Sequence, residues 1–130
     1  MNLYDLTVAA EQDVSTYRSA DIDEWRAAID PVLKAAGECT VGNDKVDDIT
    51  LSKNELRIRT SYSVRCCAQT NDMSLPISIV RSENPVQAAT HYRVGKELSE
   101  AKSRLAAAQR SVTEYSEKVA SLEAELAASA

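Results

Sequence analysis

The chain has 130 residues, 44% of them hydrophobic, and a net charge of −5 from 15 basic and 20 acidic side chains. That length makes one domain with room for an appended helical arm, and a composition with no Phe and one Trp predicts a small core of the kind that often completes its burial by pairing with another copy. The acidic total argues against general affinity for nucleic acid, and no apolar run approaches the length of a membrane span.

Leu3, Leu6, Ala10, Val14 and Tyr17 recur at helical spacing and predict a first helix or docked tail. The opening MNLYDLTVAAEQD has no basic leader and Asp5 interrupts its apolar run, so no signal peptide is expected. A clearer helix follows. Asp21 and Glu24 form a capping-box-like pair, and Ile22, Trp25, Ile29, Val32, Leu33 and Ala36 share one face. Gly37 is the expected left-handed stop. Pro31 lies inside the pattern and is expected to kink the helix, or to restart it with Asp30 as the cap. Trp25 is the largest core anchor and is expected to be buried. Cys39, Cys66 and Cys67 are an odd set without disulfide spacing and read as reduced thiols of a cytoplasmic protein.

After GNDK the period changes from helix to strand. Residues 47–51 alternate, a two-residue turn falls at Lys53-Asn54, and Leu56 to Cys66 alternates again. That turn pairs Leu51 with Leu56, Ile49 with Ile58, Thr50 with Arg57 and Asp48 with Arg59. A third strand is predicted over Leu75 to Arg81, beyond the loop CAQTNDMS, with Pro76 at a strand start or sheet edge. The expected fold is α+β: an acidic N-terminal helical region over 1–37, a three-stranded antiparallel meander within 46–81, and a helix over 85–130 capped by Asn84 with Pro85 in its first turn. The first two make a small domain over 1–84.

The last helix carries the strongest pattern. Leu98, Leu105, Val112, Val119 and Leu126 recur every seventh residue, and Val94, Ala101, Ala108, Tyr115 and Leu122 form a second row. These are the a and d rows of a coiled coil over about five heptads, and they predict self-association through Leu98, Leu105, Val112, Tyr115, Val119, Leu122 and Leu126. In a parallel pair Glu97 would face Lys102 and Lys118 would face Glu123, both attractive. Ala101 and Ala108 weaken that part of the seam. Extending the a row back one heptad lands on His91, the only histidine.

Charge is segregated along the chain. Residues 1–48 hold 11 acids and 4 bases, whereas 49–93 hold 3 acids and 6 bases. At the basic centre, Leu56, Ile58, Thr60, Tyr62, Val64 and Cys66 point one way along the strand. Arg57, Arg59, Ser61, Ser63, Arg65 and Cys67 point the other. Guanidinium forks interleaved with hydroxyls suit carboxylate or phosphate, with Thr50, Ser78 and Val80 as small cross-strand neighbours. A solvated outer face, partly neutralised by Asp48, fits the same alternation, and both readings stay open here. His91, Tyr92 and Arg93 add donors and an aromatic face near the helix–sheet junction. No metal motif, phosphate-cradling glycine loop or nucleophile–base arrangement stands out. The sequence therefore predicts no enzyme, no metal and no cofactor.

The order of elements, an early helix, a small antiparallel sheet and a long C-terminal helix, resembles several small bacteriophage accessory proteins. Among these are inhibitors of bacterial defence that bind a defence protein or sequester a cyclic nucleotide. The resemblance transfers no site residue. The expected function is a homo-oligomer that captures an anionic, nucleotide-like ligand on its basic sheet face. The alternatives are a protein–protein interaction module or inhibitor, and a structural coiled-coil adaptor. No membrane partner is expected.

Overall fold

The computed structural model describes residues 2–16, 22–65 and 67–129. They fall into two compact units, Met1–Arg93 and Val94–Ala130. The first unit opens with α1 (Leu3–Ser15), whose N-terminus is capped by Asn2: its Oδ1 accepts the Asp5 amide at 2.8 Å. Leu3, Leu6, Thr7 and Ala10 are buried, while Tyr17, expected on the same face, lies outside the described residues.

In α2 (Ile22–Ala35) the buried residues are Trp25, Ile29, Val32 and Leu33, as the apolar spacing predicts. Asp21, the expected cap, lies outside the described residues. The helix runs through Pro31 without a restart, and Asp30 is not a cap. Proline deletes one backbone donor there, and the Asp30 carboxylate is engaged elsewhere. It accepts the Val41 amide at 2.7 Å and the Gly42 amide at 2.9 Å. One turn earlier, Arg26 donates to the Gly42 and Asp44 carbonyls. Two side chains of α2 thus hold the loop before the sheet. The helix ends as predicted at Gly37, whose φ is +81°: the Gly37 amide donates to Lys34 O at 3.1 Å and the Glu38 amide to Leu33 O at 2.9 Å. This pair of bonds is a Schellman stop.

The sheet has the order β1-β2-β3, formed by β1 (Lys45–Leu51), β2 (Glu55–Val64) and β3 (Cys67–Pro76), all antiparallel. The arginine strand is central. The four β1–β2 pairs expected from the Lys53-Asn54 turn are all present, with a bulge between Val46 and Asp48. At the outer edge of β1, the Glu11 carboxylate of α1 accepts the Leu51 amide at 2.7 Å.

The third strand is not where the sequence pattern put it. It occupies Cys67–Pro76, and Ile77–Val80 is the short helix α3. Leu75, Ile77 and Ile79 continue an apolar alternation that mimics a strand. Yet Ile79 and Val80 are both buried, which adjacent residues of a one-sided strand cannot be. The true strand was obscured because only Met73 and Leu75 mark its buried face.

Beyond the Lys45–Ser61 pair β1 ends, and β2 with β3 continues as a two-stranded ribbon. Leu56, Ile58 and Thr60 are buried as expected. Tyr62 and Val64, assigned to the same inner face, are 38% and 47% exposed, because β1 ends before them and no helix among the described residues covers that face. Cys66 lies outside the described residues.

The core gathers Trp25, Leu33, Ile49, Leu56, Ile58, Leu75 and Val80 between helices and sheet. Trp25, fully buried, donates its indole N–H to Thr7 Oγ1 at 3.1 Å, and that hydroxyl donates to Leu3 O at 2.7 Å. Burying the single Trp is therefore free of an orphaned donor. Among the described residues one buried hydroxyl, Thr60 Oγ1, has no hydrogen-bond partner.

The last helix, α4 (Pro85–Ser129), begins at Asn84, whose Oδ1 accepts the Gln87 amide at 3.3 Å. Its first turns belong to the first unit: Ala89 is fully buried, and Arg93 Nε donates to Ala35 O at 3.0 Å. A Cβ at Gly37 would come within 3.3 Å of Arg93 Cδ, so Gly37 is constrained by its neighbour as well as by its φ.

Candidate functional site

Two surfaces stand out, one on each unit. On the first, the outward residues of the sheet form an open groove of about 490 Å³. Arg57 and Arg59 of β2 line it with Asp48 and Thr50 of β1, Asp72 and Ser74 of β3, and Glu38. The alternation that buries Leu56 and Ile58 places the two guanidiniums here, as expected.

Their electrostatic setting differs from the expected one. Arg59 Nε meets Asp72 Oδ1 at 3.0 Å, and Arg57 Nε meets Glu55 Oε1 at 3.1 Å. The hydrogen bond that Arg59 donates to Asp72, and next the charge of Asp72, hold the Arg59 guanidinium above its ordinary pKa, with Asp48 and Asp47 adding to the field. The neighbours across the β3 side are Asp72 and Ser74, opposite Arg59 and Arg57. Ser78 and Val80, predicted there, belong to α3. Glu38, Asp48 and Asp72 are thus three carboxylates around two guanidiniums in the groove.

The other predicted site residues are dispersed. Ser61 and Ser63 border a separate depression of about 340 Å³ with Asn43, Asp44, Lys45 and Tyr62. Arg65 is not on the strand face at all. It sits at the β2–β3 turn with φ of +57°, a left-handed conformation imposed by the tight reversal between Val64 and Cys67. Cys67 is exposed at the start of β3. His91 and Tyr92 are exposed on α4, and Arg93 is engaged with α2; none of the three lines the groove. Sequence reasoning missed Asp72 and Glu38. Correct placement of β3 would have found Asp72, since it then falls directly opposite Arg59.

The second surface is the heptad face of α4. Val94, Leu98, Leu105, Val112, Tyr115, Val119, Leu122 and Leu126 are between 48% and 72% exposed. Every described side chain from Val94 to Ser129 is exposed. Seven-residue spacing keeps these apolar side chains on one stripe of a helix that is otherwise charged and small. No helix among the described residues is long and apolar enough to cross a membrane. Comparison with family models, with characterised proteins and with solved structures returns no match.

Proposed function

We propose that this chain is a coiled-coil assembly protein, a homo-oligomer held together by the heptad face of α4. The observation that carries this reading is the set of large a and d side chains, Val94 to Leu126, exposed along one stripe. Contiguous exposed apolar surface of that extent marks an interaction site, and burying one Val or Leu side chain contributes about 1.5–3 kcal/mol. Capture of an anion at Arg57 and Arg59 has less support, because a ligand would have to displace Asp72 from Arg59 within a groove whose carboxylates outnumber its guanidiniums. Size-exclusion chromatography with light scattering tests the proposal. At tens of micromolar the chain should elute with the mass of two or more copies, and Val119→Asp/Leu122→Asp should elute as one. A monomeric parent chain overturns it.

A further inference from the structure

We propose that α4 pairs with a second copy of itself in antiparallel orientation, Ala101 against Leu126 and Ala108 against Val119, so that every small core residue meets a large one. This rests on the self-association reading above and goes beyond it by fixing direction and register. Two features of the exposed helix carry it: the charges that flank the seam, and the unequal sizes of the residues within it.

Consider the charges first. In a parallel, in-register pair each g residue faces the e residue five positions on in the second copy. Glu97 then meets Lys102 and Lys118 meets Glu123, both attractive. Reversing one helix brings a against d, g against g and e against e. With the helices flush, Glu97 meets Glu125 and Arg104 meets Lys118, so both charged g pairs repel. Sliding one helix by a single heptad inverts the outcome. Arg104 then meets Glu125, Lys102 meets Glu123, and no like charges face each other. The flush antiparallel arrangement is disfavoured, and a slide of one heptad the other way runs residues 122–126 against 87–91, turns of α4 that belong to the first unit, which leaves the parallel pair and the offset pair with Arg104 on Glu125.

Packing separates those two. An in-register parallel pair sets each core residue against itself: Ala101 on Ala101, Ala108 on Ala108, and Tyr115 on Tyr115. Two pinched layers would flank Leu105, with a swollen one two layers beyond Ala108. Core packing tolerates neither voids nor overfilling, and straight helices cannot change their separation layer by layer. In the offset antiparallel pair Ala101 faces Leu126, Ala108 faces Val119, Leu105 faces Leu122 and Val112 faces Tyr115. Each alanine is matched to a larger residue, and the tyrosine to a smaller one. The two alanines that weaken a parallel seam are the complement of its distal half.

Charge reversal at two exposed positions distinguishes the arrangements. Arg104 faces Glu125 in the antiparallel pair and Gln109 in the parallel one; Lys118 faces Ser111 in the antiparallel pair and Glu123 in the parallel one. Each lies four residues after a glutamate, Glu100 or Glu114, so reversing either perturbs the isolated helix alike. The dimer Kd of the full chain is measured by sedimentation equilibrium at low ionic strength. Arg104→Glu should raise Kd on the order of tenfold over Lys118→Glu, and adding Glu125→Arg to Arg104→Glu should restore the parent value. A larger effect from Lys118→Glu, equal effects, or failure of Glu125→Arg to rescue each overturns the antiparallel register while leaving self-association standing. A monomeric parent chain overturns the self-association reading itself.

Discussion

Within α4 the same helix meets two different fates. Up to Arg93 its side chains are part of the first unit: Ala89 is fully buried, and Arg93 is hydrogen-bonded to the end of α2. From Val94 onward the apolar residues are larger, yet every described one is exposed. Hydrophobicity alone therefore does not decide burial; a complementary surface does. The first unit completes its core around Trp25 with small residues of α4, the buried Ala89 and the half-buried Ala88, whereas the second unit carries its apolar stripe without any surface of its own to set it against.

The two units should therefore differ in what destabilises them. The hardest test is Trp25→Ala, which removes the fully buried indole and leaves the Thr7 hydroxyl without its donor. A loss of about 3–5 kcal/mol is expected for the first unit in urea denaturation, with the mass in light scattering unchanged. A loss below about 1 kcal/mol, or concurrent loss of assembly, would remove the distinction. A smaller effect of opposite sign is expected at Thr60, whose hydroxyl is buried without a partner. Thr60→Val keeps the shape and removes the unsatisfied group, so it should raise the same transition by about 1 kcal/mol. Smallest is Gly95→Ala in the second unit. Nothing lies within 4 Å of the added Cβ, and the residue is helical. A gain of about 0.5–1 kcal/mol is expected, seen as greater helicity by circular dichroism with the first unit's urea midpoint unmoved.

What could be read in the sequence follows from how local each constraint is. The Lys53-Asn54 turn spans two residues and sets the β1–β2 register by itself, so every predicted pair there is found. The heptad spacing is equally local, and so is the Asn84 cap. By contrast, β3 presents mostly polar residues, and its identity depends on pairing with β2 rather than on its own composition. The displaced strand carries through to the site: the alternation puts Arg57 and Arg59 on the correct face, but with Ser78 and Val80 as neighbours where the structure has Ser74 and Asp72. The roles of Thr7, Asp30 and Glu11 were not legible for a related reason. Each satisfies a donor far away in the chain, Trp25 Nε1, the Val41 amide and the Leu51 amide, and no spacing rule connects such positions.

The Glu11–Leu51 hydrogen bond has a consequence for behaviour in concentrated solution. Sheet edges are where unrelated chains add strands and begin to aggregate. On the β1 side that route is obstructed: a carboxylate occupies a ladder donor, and the bulge between Val46 and Asp48 breaks the regular repeat. The opposite edge, β3, offers Gln69, Asn71 and Asp72 and ends in Pro76, which has no amide to donate. Both edges of the sheet are thus built to resist becoming a seed for fibres, whatever the helix is set against.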